Sequence, residues 1–381
     1  MNNIIYDKII IGAGVAGLAA AYEILSAAKK AGKSIKLVVL AEKINAPTLA
    51  GTNIVLGIDG FEENELPPHA AELNEMVRGG LARINQIVRD EKISCRHDLY
   101  FQLVAPTHAE NIETVDFLIS RFGYRPDEFN YVINAADRLR FDGLIEAIEC
   151  NSIGQLNGPE FVEGLVGAIR RMGGLIAEGT LYIGHAQNAS LFEIDTSKGT
   201  YTTTTPPLLA GGPHLMSRIV GMPVRVFPYY TMAMHVELTA EDAKHVSKRP
   251  LAFFNIKYDY LWGSLDSENV LTIGQSAKAD PADQPKFEVQ LRQTYHKILP
   301  ELIEIHDDQI SFSFNAMTYT ENMLPVVGRL ADFDVITGNC GRGFVQSFAQ
   351  AQAYADHFVN GNDSKLRLFE SLNIGRRVTQ P

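Results

Sequence analysis

At 381 residues the chain is longer than one typical domain, and two domains with sizeable cores are expected. Hydrophobic residues at 46% and charged residues at 21% are ordinary for a globular protein, and a formal net charge of −11 gives no electrostatic basis for binding nucleic acid or anionic lipid. Cys95, Cys150 and Cys340 stand far apart with no C-x-x-C pair, which argues against a disulfide framework and against zinc.

The chain is organised around its N-terminal stretch. Ile9-Ile10-Ile11 is an unbroken β-branched run, as a strand buried on both faces of a parallel sheet requires. Gly12, Gly14 and Gly17 follow as G-x-G-x-x-G, with Ala13 and Ala16 between them. Gly12 suits the tight turn out of the strand, Gly14 lets a pyrophosphate approach the backbone, and Gly17 allows close helix–sheet packing. The helix spans about Val15 to Ala31, with Lys29 and Lys30 at its negative end and its positive N-terminus toward the diphosphate. No basic n-region precedes this apolar stretch, so it does not read as a signal peptide. A second strand, Ile35–Leu40, leads to Glu42 and Lys43. Ala41 holds the usual place of the ribose-binding acid, and Glu42, one residue late, takes that role.

Residues 44–60 lack helical periodicity, and Gly51-Thr52-Asn53 at their centre suit either a loop against a cofactor or a surface connection. A helix is predicted from Pro67 to Lys92, a strand over 98–104, a helix over Ala109–Phe122, and irregular chain over 124–155. Asn157-Gly158-Pro159 opens a helix over Glu160–Met172. Leu175–Ala177 with Leu181-Tyr182-Ile183 is read as a short parallel strand, Ser190–Thr196 with Gly199–Thr204 as a hairpin-like pair, and Pro207–Gly212 as a buried strand ending in Ala210-Gly211-Gly212. Residues 224–320 read as mainly antiparallel β: Val224–Phe227, Met232–Leu238, Leu251–Lys257, Tyr258–Ser264, Val270–Gln275 and Ile310–Ala316, interrupted by a helix over Lys286–Leu299. Their many Tyr, Phe and Met residues are mostly core, a few being placed to wall an apolar pocket. Asp334–Gly338 is a parallel-type strand ending in Asn339-Cys340-Gly341-Arg342-Gly343-Phe344, before a last helix from Val345 to Val359. That helix N-terminus offers backbone N–H groups to a negatively charged group.

These landmarks together resemble the D-amino-acid oxidase and glycine/sarcosine oxidase superfamily of FAD-dependent oxidoreductases. The matching points are the Gly12–Gly17 loop, the Gly158-Pro159 segment with Gly173-Gly174, Thr203–Gly212, Leu324-Pro325-Val326-Val327-Gly328, and the Gly338–Phe344 turn. The resemblance implies an α/β protein: a discontinuous Rossmann-type FAD domain (1–92, 151–215 and 321–381) and an inserted, mainly antiparallel α+β substrate domain (93–150 and 216–320). It implies oxidation of a small amine, amino acid or hydroxy acid by hydride transfer to flavin N5, with oxygen or a quinone open as acceptor. It also brings Tyr182, Ala210, Gly211, Gly341, Arg342, Gly343, Phe344 and Val345 to the cofactor, beside Gly12–Gly17, Glu42, Lys43, Thr52 and Asn53. Met317, Tyr319 and Arg342 fall on the substrate side.

Departures from the family pattern shape the expectation. Met317 stands where amino-acid oxidases place a carboxylate-binding arginine, leaving Arg342, or Arg329, to hold an anionic substrate. Asn315 replaces the flavin-linking cysteine of sarcosine-type members, so the FAD is expected to be non-covalent. Thr272 replaces the lysine those members use toward oxygen. Two alternatives stay open: a flavin monooxygenase or quinone-coupled dehydrogenase, and a non-catalytic chain holding FAD or a nucleotide. No run of about 20 apolar residues suggests a transmembrane helix, and the cytoplasm is the simplest compartment.

Overall fold

The computed structural model describes residues 4–44, 50–51, 69–95, 101–105, 112, 115–116, 119–120, 124–133, 146–150, 154–188, 190–216, 225–248, 250–255, 261–277, 281–300, 305–330 and 332–372. In chain order the first half comprises β1 (Ile5–Tyr6), β2 (Lys8–Ile11), α1 (Val15–Lys30), β3 (Leu37–Leu40), β4 (Ala50–Gly51), α2 (Ala70–Asp90), β5 (Phe101–Ala105), β6 (Phe129–Ile133), β7 (Glu146–Cys150) and β8 (Gln155–Leu156). Then come α3 (Gly158–Arg171), β9 (Leu175–Ala177), β10 (Tyr182–Asn188), β11 (Leu191–Thr196), β12 (Gly199–Thr203), β13 (Leu208–Leu209) and α4 (Pro213–Met216). The second half holds β14 (Val226–Glu237), α5 (Ala240–Val246), β15 (Leu251–Asn255), β16 (Leu261–Leu265), β17 (Val270–Ala277), α6 (Gln284–Ile298), β18 (Ile310–Thr320), β19 (Val326–Leu330), β20 (Phe333–Thr337), α7 (Gly343–Asn360) and α8 (Ser364–Ser371).

The first layer is a six-stranded sheet in the order β19-β20-β13-β2-β3-β9. All its pairs are parallel except β19 with β20. Side chains alternate across such a sheet. Ile10, Leu37, Val39, Leu208 and Ile336 therefore face one way, into a core shared with α1, α2, α3 and α7. Ile9, Ile11, Val38, Leu40, Leu209 and Val335 face the other way, against Phe192 and Ile194 of a second, four-stranded sheet, β1-β12-β11-β10. Burial on both faces explains the unbroken apolar run at residues 9–11. At the foot of this sheet Lys8 is fully buried, and its Nζ donates to Asp334 Oδ2 (2.8 Å) and to the Pro206 carbonyl (2.6 Å).

The other large layer is an eight-stranded sheet, β18-β14-β17-β16-β15-β5-β7-β6, antiparallel except between β15 and β5. Met232, Met234, Val236, Leu271 and Ile273 on one face pack with Ala243 and Val246 of α5 and Leu291, Tyr295 and Ile298 of α6. The opposite face carries Tyr229, Thr231 and His235 of β14 beside Asn315 and Met317 of β18.

Several sequence expectations change here. Residues 182–183 do not continue the parallel sheet: β10 pairs antiparallel with β11, and only Leu175–Ala177 extends the parallel layer. The stretch 124–155, read as irregular, supplies β6 and β7, which complete the eight-stranded sheet. The strands predicted at 224–227 and 232–238 are one strand, β14, which pairs unbroken with β18 from Val226 to Val236, Pro228 lying opposite Thr318. Helices α4, α5 and α8 have no counterpart among the predicted elements. Of the helix expected over 109–122 most residues lie outside the described set, as does most of the loop 44–60; its Ala50 and Gly51 pair with Leu156 and Gln155.

Candidate active site

In an open α/β sheet a ligand sits outside the carboxyl ends of the strands where strand order reverses. Here β2 has β3 on one side and β13 on the other, so the reversal falls between β2 and β13. The Gly12 and Ala210 turns leave those two strands at that point, and Ala210 N–H donates to the Ile11 carbonyl (2.9 Å). Gly12 has φ +113°, and a Cβ there would lie 2.4 Å from the Ala210 oxygen, so both conformation and space require glycine. A Cβ at residue 17 would lie 2.0 Å from the Gly12 carbonyl oxygen, which fixes the close approach of α1. Gly14 differs: a Cβ there would meet nothing within 4 Å. The space over Gly14 is a cradle at the N-terminus of α1, where no side chain caps the helix and no acid occupies the first turn.

Around this turn, Ala13 is buried and Ala16 half-buried; Glu42 and Lys43 are exposed just past β3. Gly179 N–H donates to the Glu42 carbonyl and Thr180 N–H to the Ala41 carbonyl, which brings the chain before Tyr182 to the end of β3. The Tyr182 ring itself turns toward Phe333, and its hydroxyl lies 3.0 Å from His185 Nδ1. Gly211 is half-buried beside Leu215. Thr52 and Asn53 lie outside the described residues.

The second glycine turn builds the other half. Helix α7 starts at Gly343 with Arg342 as its N-cap, again with no side-chain cap and no acid in the first turn. Phe344 and Val345 point into the core: the Phe344 ring lies 5.5 Å from Phe161, and Val345 backs onto Gly80 of α2. What they present outward is backbone N–H. Gly341 (φ +80°) is exposed, and a Cβ there would lie 2.8 Å from the Tyr319 hydroxyl and 3.8 Å from Met317 Sδ. The turn thus brings together Gly341, Met317 and Tyr319, residues 22 to 24 positions apart in sequence that strand β18 and the α7 turn place side by side. Tyr229 stacks on Tyr319 (4.3 Å, 24°) and Phe227 flanks it at 6.4 Å, so the wall here is aromatic. Met232, Met234 and Phe253 from the same aromatic- and Met-rich region are core instead.

The half-buried Arg342 guanidinium donates from Nη1 to the Cys340 carbonyl (3.4 Å) and lies near the buried phenol of Tyr124. Burial pushes that phenol well above its ordinary value, while the Arg78 and Arg342 cations act against it. Arg329 is placed elsewhere. Its Nε donates to Asp334 Oδ1 (2.7 Å), opposite the start of β20, about 13 Å along the strand from the Gly338 turn. Thr272 is bonded across the sheet to His235 Nδ1 (2.9 Å), whose Nε2 meets Ser313 Oγ (2.8 Å). Burial lowers the His235 value, with Asp266 opposing. Tyr124 and the surroundings of Cys340 carried no signal in the sequence, since both acquire their setting only through strand pairing. All three cysteines are free and buried. Among the described residues no group of His, Cys, Asp and Glu is arranged to hold a metal, and no helix is long and apolar enough to cross a membrane.

Residues 7–357 match the FAD-dependent oxidoreductase family DAO, and the chain belongs to that family. No curated protein sequence matches it. Among solved structures, a glycine oxidase from Bacillus cereus superposes with a TM-score of 0.75 at 17% identity, covering 98% of this chain and 100% of that one. An L-proline dehydrogenase from P. horikoshii gives 0.74 at 15% identity (98% and 99% covered), and an iminodiacetate oxidase from Chelativorans sp. BNC1 gives 0.72 at 16% (93% and 95%). The chain therefore has the fold of these proteins and is an FAD-dependent oxidoreductase. The residues present fit that cofactor: the Gly14 cradle is open, and the two helix ends that face the sheet's carboxyl edge carry neither cap nor acid.

Proposed function

We propose that the chain oxidises a small amine or amino acid at the carbon bonded to nitrogen, with FAD held non-covalently between the α1 and α7 N-termini. The observation that carries this reading is the meeting of the Gly341 turn with Met317 and Tyr319 on the eight-stranded sheet. The solved structures of similar fold act, by their names, on glycine, L-proline and iminodiacetate, all small amino acids or amines. The division into a cofactor unit (1–92, 151–215, 321–381) and a substrate unit (93–150, 216–320) belongs to the same reading.

Bound FAD supplies the hydride acceptor, its N5. The chain's own residues supply position and field. Gly12, Ala13, Gly14, Ala16 and Gly17 seat the diphosphate at α1, and Glu42 takes the ribose. The first N–H groups of α7, with Gly341, Arg342 and Gly343, would stabilise the negative charge that the flavin gains on reduction. Met317, Tyr319 and Tyr229 exclude water from the reacting carbon. Arg342, whose planar fork matches a carboxylate, holds the acid group of an amino-acid substrate in place of the arginine that Met317 displaces. Anaerobic addition of amines, amino acids and hydroxy acids tests this: bleaching of the flavin near 450 nm by an amine or amino acid is the expected outcome. A protein that is colourless and does not rebind FAD, or one bleached only by hydroxy acids, contradicts it.

A further inference from the structure

The α7 turn is tied to β18 by more than contact at Gly341. Cys340, a non-glycine residue at φ +48°, donates its N–H to the Thr318 carbonyl (3.2 Å). Its buried Sγ accepts the Thr320 N–H (3.4 Å), donates to the Gly338 carbonyl (3.1 Å) and lies 3.5 Å from Thr320 Oγ1. The Thr320 hydroxyl in turn donates to the Leu324 carbonyl (2.7 Å), in the segment that leads into β19. Thr320 is fully buried, and its methyl fills the space that a side chain at Gly338 would need, 2.6 Å from a Cβ there. Backbone and side chain of one residue are thus both bonded to alternate residues of the strand that carries Met317 and Tyr319.

We propose that Cys340 and Thr320 form a latch that sets the height of the flavin-facing turn over the β18 wall, making Cys340 a positioning residue. The proposal rests on the function given above, because it assigns the turn to the flavin. Physically, a left-handed conformation is strained for a non-glycine residue and persists only where its surroundings over-determine it. Glycine would relieve that strain, yet glycine has no thiol to accept the Thr320 N–H. The side chain at 340 is therefore retained against its own backbone preference, and what it adds is the bond to β18. With the latch open, the α7 N–H groups would no longer be held in place, and a reduced, more negative flavin beside them would lose stabilisation.

The test compares Cys340→Gly, which frees the backbone and deletes the thiol, with Cys340→Ser, which keeps a group able to donate and accept. Two readouts are taken on the purified full-length proteins: hydrogen exchange of a peptide spanning residues 318–321, with and without FAD, and the dye-equilibrated midpoint potential of bound FAD. The expected result for Cys340→Gly is at least tenfold faster exchange at Thr320 and a potential lower by about 30 mV, the two-electron equivalent of a tenfold weaker hold on the reduced ring. Cys340→Ser is expected to recover most of both. Unchanged exchange in Cys340→Gly overturns the latch. Faster exchange at an unchanged potential, even with a lower melting temperature, shows a structural bond and overturns the positioning role. A wild-type chain that takes up no FAD fails the proposed function, which the exchange of the ligand-free protein keeps separate from failure of the latch.

Discussion

Helices α1 and α7 begin differently from α3 and α5. At α3, Asn157 caps the end by accepting the Glu160 N–H (2.9 Å), with Pro159 at the start and Glu160 in the first turn. At α5, Thr239 accepts the Asp242 N–H (3.1 Å), beside Glu241 and Asp242. Each of these ends satisfies one of its orphan donors and sets acids against its own dipole. Helices α1 and α7 start from Gly14 and Arg342 with neither device, although both lie against the carboxyl edge of the parallel layer. The difference teaches where a ligand belongs. Helices α6 and α8 also start without a side-chain cap or a first-turn acid, so an open end alone marks nothing; α1 and α7 differ in opening at the carboxyl edge of the parallel layer, where a ligand sits.

The largest expected effect on the flavin follows from filling one of the open ends. Gly14→Val places a branched side chain in space that is empty of protein, so the fold should survive and FAD affinity should fall by two orders of magnitude or more, about 3 kcal/mol. Flavin retention measured by absorbance after gel filtration checks this, and full occupancy would mean the cradle is only a turn. Asp334→Asn acts far from both open ends and should leave flavin affinity alone while costing about 3–5 kcal/mol of stability, since Lys8 would be buried without its partner. Burial opposes the Asp334 carboxylate, but Lys8, Tyr354 and Arg329 outweigh it and hold its value below the ordinary one. Its contribution is therefore complete above the unfolded value of about 3.9 and is lost as pH falls through the lower folded value. Urea midpoints of the two proteins should converge at acid pH, and a constant gap across pH would refute the assignment.

Arg342→Met keeps the open end of α7 but removes its cation. FAD should remain bound, while flavin reduction by an amino acid should weaken about 10- to 150-fold, the worth of one charge-assisted hydrogen bond at roughly 1.5–3 kcal/mol. Equal stopped-flow rates and affinities would show Arg342 to be structural. The smallest effect belongs to a closed end: Asn157→Ala should cost about 1 kcal/mol in urea unfolding and leave the flavin spectrum unchanged. A spectral change there would blur the distinction between the two kinds of helix end.

What the sequence disclosed follows the range of the interactions involved. Strand β2, the glycine turn and α1 were legible because apolar run, turn and helix are set within about 20 residues. The caps of α3 were equally local. Helix α5 was overlooked although Thr239 with Glu241 and Asp242 is a start signal, because a seven-residue helix is too short to show periodicity. Strands β6 and β7 pair with each other inside 124–155, but β7 reads Glu-Ala-Ile-Glu-Cys without apolar alternation, and only its pairing with β5, itself parallel to β15, joins them to the sheet. At the site, Gly341, Met317 and Tyr319 are named by the family resemblance, yet nothing local announces that Tyr229 stacks on Tyr319. The partner of Arg329 was invisible for the same reason: Asp334 faces it only through the β19–β20 register.

If the uncapped start of α7 faces the flavin, an acid placed there should be felt by the ring. A Cβ at Gly343 meets only Asn339 Cβ, at an ordinary 3.8 Å, so Gly343→Asp gives the helix the neutralised end that α3 and α5 already have without crowding the fold. The measurement is the midpoint potential of bound FAD in wild type and variant. A fall of about 30 mV or more, a tenfold loss in stabilisation of the reduced ring, is predicted. An unchanged potential with FAD still bound would contradict the account, since the α7 N-terminus would then be pointing at something other than the flavin.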